Sequence, residues 1–183
     1  MSVFEEKTLS SELIFDGKVV HLYKDTVSLP NGKSAFREYV RHIGAVCVIP
    51  ITDEGEVVCV RQYRYAVGRE MLEIPAGKLD TADEIPEEAV LRELREETGA
   101  TCKKLTFIGE YLGSPAILSE KIYMYMAEGL AWGESSPDED EFISVEKIPV
   151  NELCSMICRG EIADGKTQVA VLKAALIINS REK

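Results

Sequence analysis

The stretch of residues 77–100 reads GKLDTADEIPEEAVLRELREETGA, and the rest of the chain is organised around it. Its second half predicts a helix. Pro86 suits the first helical turn, and Gly99 is placed to end the helix. Ala89 and Leu94 supply an apolar side. The pattern therefore predicts one amphipathic helix that follows a polar loop.

Three glutamates of this helix, Glu93, Glu96 and Glu97, are spaced i, i+3 and i+4. Residues at this spacing share one helical face, with Cβ atoms about 5–6 Å apart, so their carboxylates repel one another. Mg²⁺ favours oxygen ligands and is usually held by a few carboxylates together with phosphate oxygens. The spacing therefore indicates a metal–phosphate site. The alternative is an acidic surface helix whose charge is softened by Arg92 and Arg95.

Residues 92–100, RELREETGA, resemble the REUxEExGU half of the Nudix box, in which U is aliphatic. Every fixed position of this half matches. Upstream, Gly77 and Glu84 resemble the glycine and the first glutamate of the box. Gly77 lies one residue further from Arg92 than in the family pattern, so the extra residue falls in the loop of residues 78–83. The departure concerns the shape of that loop and not the helix.

The composition suits one domain, or one domain with a small appendage. The chain has 183 residues, of which 45% are hydrophobic, so it can bury a sizeable core. The net charge of −11 argues against nucleic acid as a partner. No apolar run approaches the length of a membrane span, and the N-terminus lacks the features of a signal peptide.

The five cysteines indicate a reducing compartment. Their number is odd and the chain has no CxxC motif. Cys154 and Cys158, at i and i+4, could be imagined as zinc ligands, but the chain has only two histidines. Reduced, buried thiols and a cytoplasmic location are the expectation.

Residues 1–42 are predicted to form a small N-terminal unit of antiparallel strands. Residues 30–33, Pro-Asn-Gly-Lys, predict a hairpin with a type I′ turn. A few strands of this size rarely form a stable core alone, so they must pack on the following domain or on a second subunit.

Residues 43–183 are predicted to form the second, larger domain. Strands before, around and after a central helix, followed by terminal helices, suggest an α/β/α sandwich with a mixed sheet. The Nudix resemblance implies the same fold. The predicted strands are 45–52, 56–65, 71–74, 104–112, 121–128 and 142–146; the later helices are 151–159 and 167–179, and 133–141 is an acidic loop.

Three segments extend the resemblance to the ADP-ribose pyrophosphatase branch of the Nudix hydrolases: residues 60–64 (VRQYR), 72–77 (LEIPAG) and 114–120. The likeness covers roughly residues 4–175. It implies hydrolysis of ADP-ribose, or a closely related nucleoside diphosphate sugar, to AMP and a sugar phosphate with Mg²⁺ or Mn²⁺. It also implies a homodimer whose N-terminal strands reach across to the partner.

The resemblance assigns the metal site residue by residue. Glu93 and Glu97 match metal-binding positions of the box, and Glu96 is a third candidate ligand. The backbone carbonyl of Ala76 matches a metal-binding carbonyl. Arg92 matches the box arginine, which orients the glutamates through charge-assisted hydrogen bonds.

The remaining assignments each have a simpler alternative. Arg64 matches an arginine that contacts the substrate diphosphate, or is a surface arginine at a strand end. Glu73 helps to bind substrate, metal or water, or is paired with a neighbouring arginine. Glu120 matches a loop glutamate that acts as catalytic base in some members, or faces solvent. The branch usually reads Ser-Pro-Gly where this chain has Ala116, and alanine accepts positive φ less readily than glycine.

Two alternative functions remain open from the sequence. The first is a pyrophosphatase for another nucleotide sugar, such as GDP-mannose. The second is a non-catalytic ADP-ribose sensor, which would predict erosion of the REUxEE motif that is intact here. Tyr23, Phe36 and Tyr39 are candidates for stacking on adenine only through the resemblance, since aromatic residues at strand spacing are more often part of a core.

Overall fold

The computed structural model describes residues 3–136 and 141–181. It divides into two compact units. The N-terminal unit contains residues 1–44 together with the loop of residues 112–121, and the main unit contains residues 45–111 and 122–183. The predicted division into 1–42 and 43–183 omits this later loop, which sequence proximity does not place with the N-terminal strands.

The N-terminal unit is an antiparallel sheet with the order β1-β2-β3. The hairpin between β2 and β3 differs from the predicted type I′ turn, which needs positive φ at both central residues. Gly32 has a φ of 80°, but no described residue other than glycine has a positive φ. The Gly32 N–H donates to the Leu29 carbonyl at 2.9 Å, as in a three-residue loop that ends in glycine. The strands are β1 (Lys7–Asp16), β2 (His21–Ser28) and β3 (Ser34–Arg41).

The loop of residues 112–121 is bound to the end of β3 by backbone hydrogen bonds. The Val40 N–H donates to the Ile117 carbonyl at 2.8 Å, and the Ser119 N–H donates to the Val40 carbonyl at 3.0 Å. The His42 N–H donates to Ser119 Oγ at 2.9 Å. These contacts explain why the loop belongs to the N-terminal unit.

The main unit is built on a mixed sheet with the order β10-β5-β4-β9-β8, in which β6 pairs with β5 and β7 with β4. The β4–β9 pair is parallel and the other pairs are antiparallel. The strands are β4 (Ala45–Ile51), β5 (Glu56–Arg64), β6 (Arg69–Glu73), β7 (Ala76–Lys78), β8 (Ala100–Tyr111), β9 (Ile122–Trp132) and β10 (Ser144–Pro149).

Helices cover both faces of this sheet: α1 (Pro86–Thr98), α2 (Val150–Cys158) and α3 (Gly165–Arg181). Successive residues of a strand point to opposite faces, and β4 is buried along its whole length. Val46 and Val48 share a cluster with the α1 residue Leu94. Cys47 and Ile49 share a second cluster with residues of α2 and α3. The predicted α/β/α sandwich with a mixed sheet is confirmed.

The ends of α1 follow the sequence signals. Pro86 occupies the first turn, together with two glutamates that complement the positive end of the helix dipole. Gly99 takes a φ of 72°, and its N–H donates to the Arg95 carbonyl at 2.8 Å. The helix predicted from Pro86 to Gly99 is therefore confirmed.

Strands β8 and β9 are each three residues longer than the sequence pattern predicted. β8 begins at Ala100 rather than Lys104, because the chain reverses directly at Gly99. β9 continues to Trp132, which pairs with Ala100. Of the predicted acidic loop 133–141, residues 137–140 lie outside the described residues. None of the described helices combines the length and apolar character that a membrane span requires.

Candidate active site

The acidic face of α1 lies against the segment that enters β7. Glu97 is buried, with 3% of its surface exposed. Its carboxylate accepts a hydrogen bond of 3.2 Å from the backbone N–H of Ala76. Glu93 and Glu96 lie closer to the surface, and both are partly exposed. The helix thus places a buried carboxylate directly beside the Ala76 backbone.

Gly77 allows Glu93 to approach the same segment. A Cβ atom built on Gly77 would lie 1.9 Å from Glu93 Oε1, which is far inside any permitted contact. The φ of Gly77 is not positive, so its backbone conformation does not require glycine. The close approach of a side chain requires it instead.

Arg92 holds the two outer carboxylates in place. Its Nη1 atom donates to Glu93 Oε1 at 2.7 Å and to Glu96 Oε2 at 3.1 Å. Burial opposes the charge of Arg92, but the adjacent Glu93 and Glu96 carboxylates outweigh it and raise the pKa of the guanidinium. Arg92 therefore stays charged and fixes the orientation of both glutamates.

Glu84 fastens the loop that carries the extra residue. Its Oε2 atom accepts a hydrogen bond of 2.5 Å from the backbone N–H of Asp80, and its Oε1 atom lies 3.4 Å from Arg92 Nη2. Arg92 Nη2 is also 3.5 Å from the Lys78 carbonyl. The loop is thus tied to the helix, and the additional residue leaves α1 undisturbed.

The carboxylates of Glu93 and Glu97 have raised pKa values. Burial raises the pKa of Glu97 to about 8, and the charges of Glu93 and Glu141 add to this effect. Burial also raises the pKa of Glu93 to about 7, against the lowering effect of Arg92. The positive charge of Arg92 and Arg64 does not offset this burial, and a divalent cation would add to it.

The chemistry of these groups fits a hard divalent cation, because Glu93, Glu96, Glu97 and the Ala76 carbonyl all offer oxygen atoms. Within residues 3–136 and 141–181, no three acidic, histidine or cysteine side chains are grouped closely enough to hold a metal ion as they stand. Arg92 holds Glu93 and Glu96, and the Ala76 N–H holds Glu97. Binding a cation would require these carboxylates to move closer together.

Arg64, the last residue of β5, and Glu73, the last residue of β6, form a bidentate ion pair. Arg64 Nε donates to Glu73 Oε1 and Arg64 Nη2 to Glu73 Oε2, both at 2.8 Å. The Glu73 side chain is 2% exposed and that of Arg64 is 41% exposed. Pairing of Glu73 with a neighbouring arginine was one of the two arrangements open from the sequence. The roles of both residues in substrate binding stay predictions.

Three residues at the start of α3 join this pair, and the sequence analysis gave them no role. Lys166 Nζ bonds to Glu73 Oε2 and lies 3.0 Å from Asp164 Oδ2. Thr167 Oγ1 accepts a 2.9 Å hydrogen bond from the Ile74 N–H. One signal was available: a lysine in the first turn opposes the helix dipole, so it indicates a specific partner.

Glu120 lies in the N-terminal unit, where its carboxylate is 3.7 Å from His42 Nε2. The preceding loop turns at Ser114, whose carbonyl accepts N–H groups of Ile117 and Leu118 at 3.1 and 2.9 Å. Ala116 has no positive φ, so alanine fits this loop without backbone strain. The role of Glu120 as catalytic base stays a prediction.

The mixed sheet lies between helices, and the glutamates of one helix are held by an arginine and lie against a glycine. Together these features define a class of metal-dependent hydrolases. The chain belongs to the Nudix family, since the NUDIX domain model matches residues 41–168. The model of the nucleoside diphosphate sugar hydrolase N-terminal domain matches residues 6–40. The two matches cover both the acidic helix and the N-terminal strands.

Known proteins resemble the chain over nearly its full length. It is 44% identical to the ADP-ribose pyrophosphatase of Bacillus subtilis (strain 168), covering 96% of this chain and 98% of the relative. It is also 44% identical to the methanol dehydrogenase activator of Bacillus methanolicus, covering 92% of each chain. The crystal structure of an ADP compounds hydrolase shares the fold, with a TM-score of 0.87 and 21% identity over 99% of this chain and 98% of the other.

Replacing Gly77 with alanine should disable the site while the fold survives. The new methyl group must displace the Glu93 carboxylate, and misplacement of a reacting group by about 1 Å can cost about 100-fold in rate. The measurement is metal-dependent hydrolysis, with urea unfolding to confirm folding. Gly133→Ala is the control, because its Cβ would meet only the Gly99 carbonyl at 3.4 Å. Near-normal hydrolysis by Gly77→Ala would contradict the proposed contact.

The buried Glu73 carboxylate should make stability depend on pH in the acid range. Burial would raise its pKa, but hydrogen bonds from Arg64 and the charge of Lys166 outweigh burial and lower the pKa to about 2. A lowered pKa stabilises the folded state above the unfolded value of about 4.3, and this contribution is lost as the pH falls toward 2.

The shift corresponds to about 3 kcal/mol of unfolding free energy. Urea unfolding of wild type and Glu73→Gln at pH 6, 4 and 3 measures it. The difference between the two proteins should shrink as the pH falls. Glu12→Gln, at an exposed carboxylate of β1, serves as the control. A constant difference across this range would show that the Glu73 carboxylate is not specially stabilised.

Proposed function

We propose that the protein hydrolyses the diphosphate of ADP-ribose to AMP and ribose 5-phosphate with Mg²⁺ as the metal. The observation that carries the proposal is the approach of Glu93 and Glu97 to the Ala76–Gly77 backbone. This arrangement gathers oxygen ligands at one place, as a diphosphate-bound divalent cation requires. The near-complete coverage of an ADP-ribose pyrophosphatase at 44% identity supports the choice of substrate.

The chain's own groups divide the work of the reaction. Water adds to one phosphorus, and the bond from that phosphorus to the bridging oxygen breaks. Glu93, Glu96, Glu97 and the Ala76 carbonyl hold the metal, while Arg92 orients the carboxylates. Bound Mg²⁺ supplies positive charge to the phosphate oxygens and lowers the pKa of the attacking water. Arg64 binds the diphosphate through the guanidinium nitrogen that Glu73 does not use.

Glu120 is proposed to act as the general base, and the sequence resemblance alone supports this. A catalytic base on a loop can reach the attacking water only when substrate is bound. Glu120→Gln tests the assignment, because an amide cannot accept the proton.

A homodimer is proposed from the surface of the N-terminal sheet. β1 lies at the edge of this sheet, and all ten of its residues are exposed. A long exposed edge strand with apolar side chains is a template for pairing with another chain. A second copy of the chain would cover it. The exposed large apolar residues of β1 are Leu9, Leu13, Ile14 and Phe15.

A cytoplasmic location is proposed from the cysteines. All five are free thiols, as expected in a reducing compartment. Cys47 and Cys59 are buried, whereas Cys158 is exposed, so the expectation of burial does not hold for every cysteine.

ADP-ribose should be cleaved faster than GDP-mannose, NADH or diadenosine polyphosphates in Mg²⁺, and the measured products are the released nucleotides, which are AMP from ADP-ribose and GMP from GDP-mannose. Glu97→Gln should lower turnover by about two orders of magnitude, because it removes a charged oxygen ligand. Its amide oxygen can still accept the Ala76 N–H, so the fold should survive. Glu88→Gln, at an exposed position of the same helix, should remain active. Faster cleavage of another substrate would refute the choice of ADP-ribose, and an active Glu97→Gln would refute the metal site.

The wild-type protein should be a dimer by light scattering, with twice the mass of one chain. Leu13→Asp should shift it toward the monomer, because a charge on the exposed edge strand opposes burial in an interface. Leu176→Asp, at an exposed apolar position of α3, is the control and should leave the mass unchanged. A wild-type monomer at all concentrations would refute the proposal.

A further inference from the structure

Arg64 belongs to a cluster of charged side chains whose other members are Glu73, Lys166 and Asp164. Lys166 Nζ contacts carboxylates of both Glu73 and Asp164. The side chains of Lys166 and Glu73 are 10% and 2% exposed, so the lysine is almost as enclosed as its partner. A buried lysine is costly unless its charge is compensated. Both of its neighbours are carboxylates, and they supply that compensation.

Lys166 is too enclosed to bind substrate itself, so any influence on the reaction must pass through a neighbour. Glu73 is that neighbour, because its carboxylate accepts hydrogen bonds from Arg64 on one side and from Lys166 on the other. Arg64 is the exposed member of this chain of contacts. The path from the buried lysine to the ligand-accessible surface therefore consists of two ion pairs.

We propose that Lys166 is a positioning residue for substrate binding, which keeps the positive charge of Arg64 available to the diphosphate while Glu73 holds the guanidinium in place. The inference rests on the proposed function, in which Arg64 binds the substrate. Lys166 would thus affect substrate binding without contacting the substrate.

The charge balance of the cluster supports this role. Arg64 and Lys166 together compensate Glu73 and Asp164, so the cluster is neutral as a whole. Without Lys166 the cluster would carry one net negative charge, and the buried Glu73 carboxylate would retain its ion pair with Arg64. An anionic substrate would then meet a less positive site.

The start of α3 fixes Lys166 relative to Glu73. Asp164 Oδ2 accepts the Thr167 N–H at 2.9 Å, which caps the helix. Thr167 is fully buried, and its Oγ1 atom accepts the N–H of Ile74, the residue that follows Glu73. The residue that follows Lys166 is therefore bonded to the residue that follows Glu73, which restricts the movement of the lysine relative to the glutamate.

The test compares Lys166→Met, Lys166→Arg, Arg64→Met and the double variant Lys166→Met/Arg64→Met. Steady-state kinetics use ADP-ribose in Mg²⁺. Lys166→Met should raise KM about tenfold with kcat within about threefold, because a binding interaction is weakened. Lys166→Arg retains the charge and should restore most of the affinity. In the Arg64→Met background, Lys166→Met should change KM less than twofold, since the two residues act in series.

Lys104→Met is the control, because it also removes a lysine–glutamate pair, with Glu128, but on an exposed surface. It should leave KM unchanged. Urea unfolding of each variant separates loss of folding from loss of binding. An unchanged KM in folded Lys166→Met, or an equal rise of KM with and without Arg64, would overturn the inference.

A second background keeps the test decisive if Lys166→Met alone does not fold. In Glu73→Gln the buried carboxylate is neutral, so adding Lys166→Met should leave KM within about twofold. A tenfold rise there would show that Lys166 does not act through Glu73 and would overturn the inference. A wild-type protein that cleaves no nucleotide sugar would instead refute the proposed function, and the inference with it.

Discussion

The site depends on the close approach of the helix α1 to the short strand β7. Glu93 lies where the side chain of any residue other than glycine at position 77 would be, and Glu97 accepts the N–H of Ala76. The apolar side of α1 makes this approach possible, since Leu94 packs in the cluster that contains the central strand β4. Core packing thus sets the positions of the carboxylates, and Gly77 removes the steric barrier between α1 and β7.

Positive charge in the main unit is placed where it organises acidic groups. Arg92 binds Glu93 and Glu96 at the helix, while Arg64 and Lys166 bind Glu73. Arg92 bonds both of its glutamates through Nη1, whereas Arg64 bonds Glu73 through two guanidinium nitrogens, which gives directional as well as electrostatic restraint. The protein carries a net charge of −11, and these few cations lie at the positions where carboxylates are crowded.

Local signals in the sequence were sufficient for α1 and for the layer arrangement. Pro86 and Gly99 mark the helix ends, and the glutamate spacing places its carboxylates on one face. Contacts between distant segments could not be predicted in this way. A lysine at a helix start indicates that Lys166 has a partner, but the sequence does not identify Glu73 as that partner, because Glu73 lies 93 positions away. The hairpin at Gly32 also departed from the predicted type, since Asn-Gly is compatible with more than one turn and the loop length decides between them.

The contact between Lys166 and Glu73 joins residues separated by 93 positions. A ribosome therefore exposes the β6 carboxylate long before it has made the lysine that neutralises it. Until the start of α3 emerges, Glu73 lacks Lys166 as a partner, and the Ile74 N–H lacks the Thr167 hydroxyl. The charge cluster around Glu73 is consequently completed only after the start of α3 has been made, and a partial chain that stops before α3 lacks it.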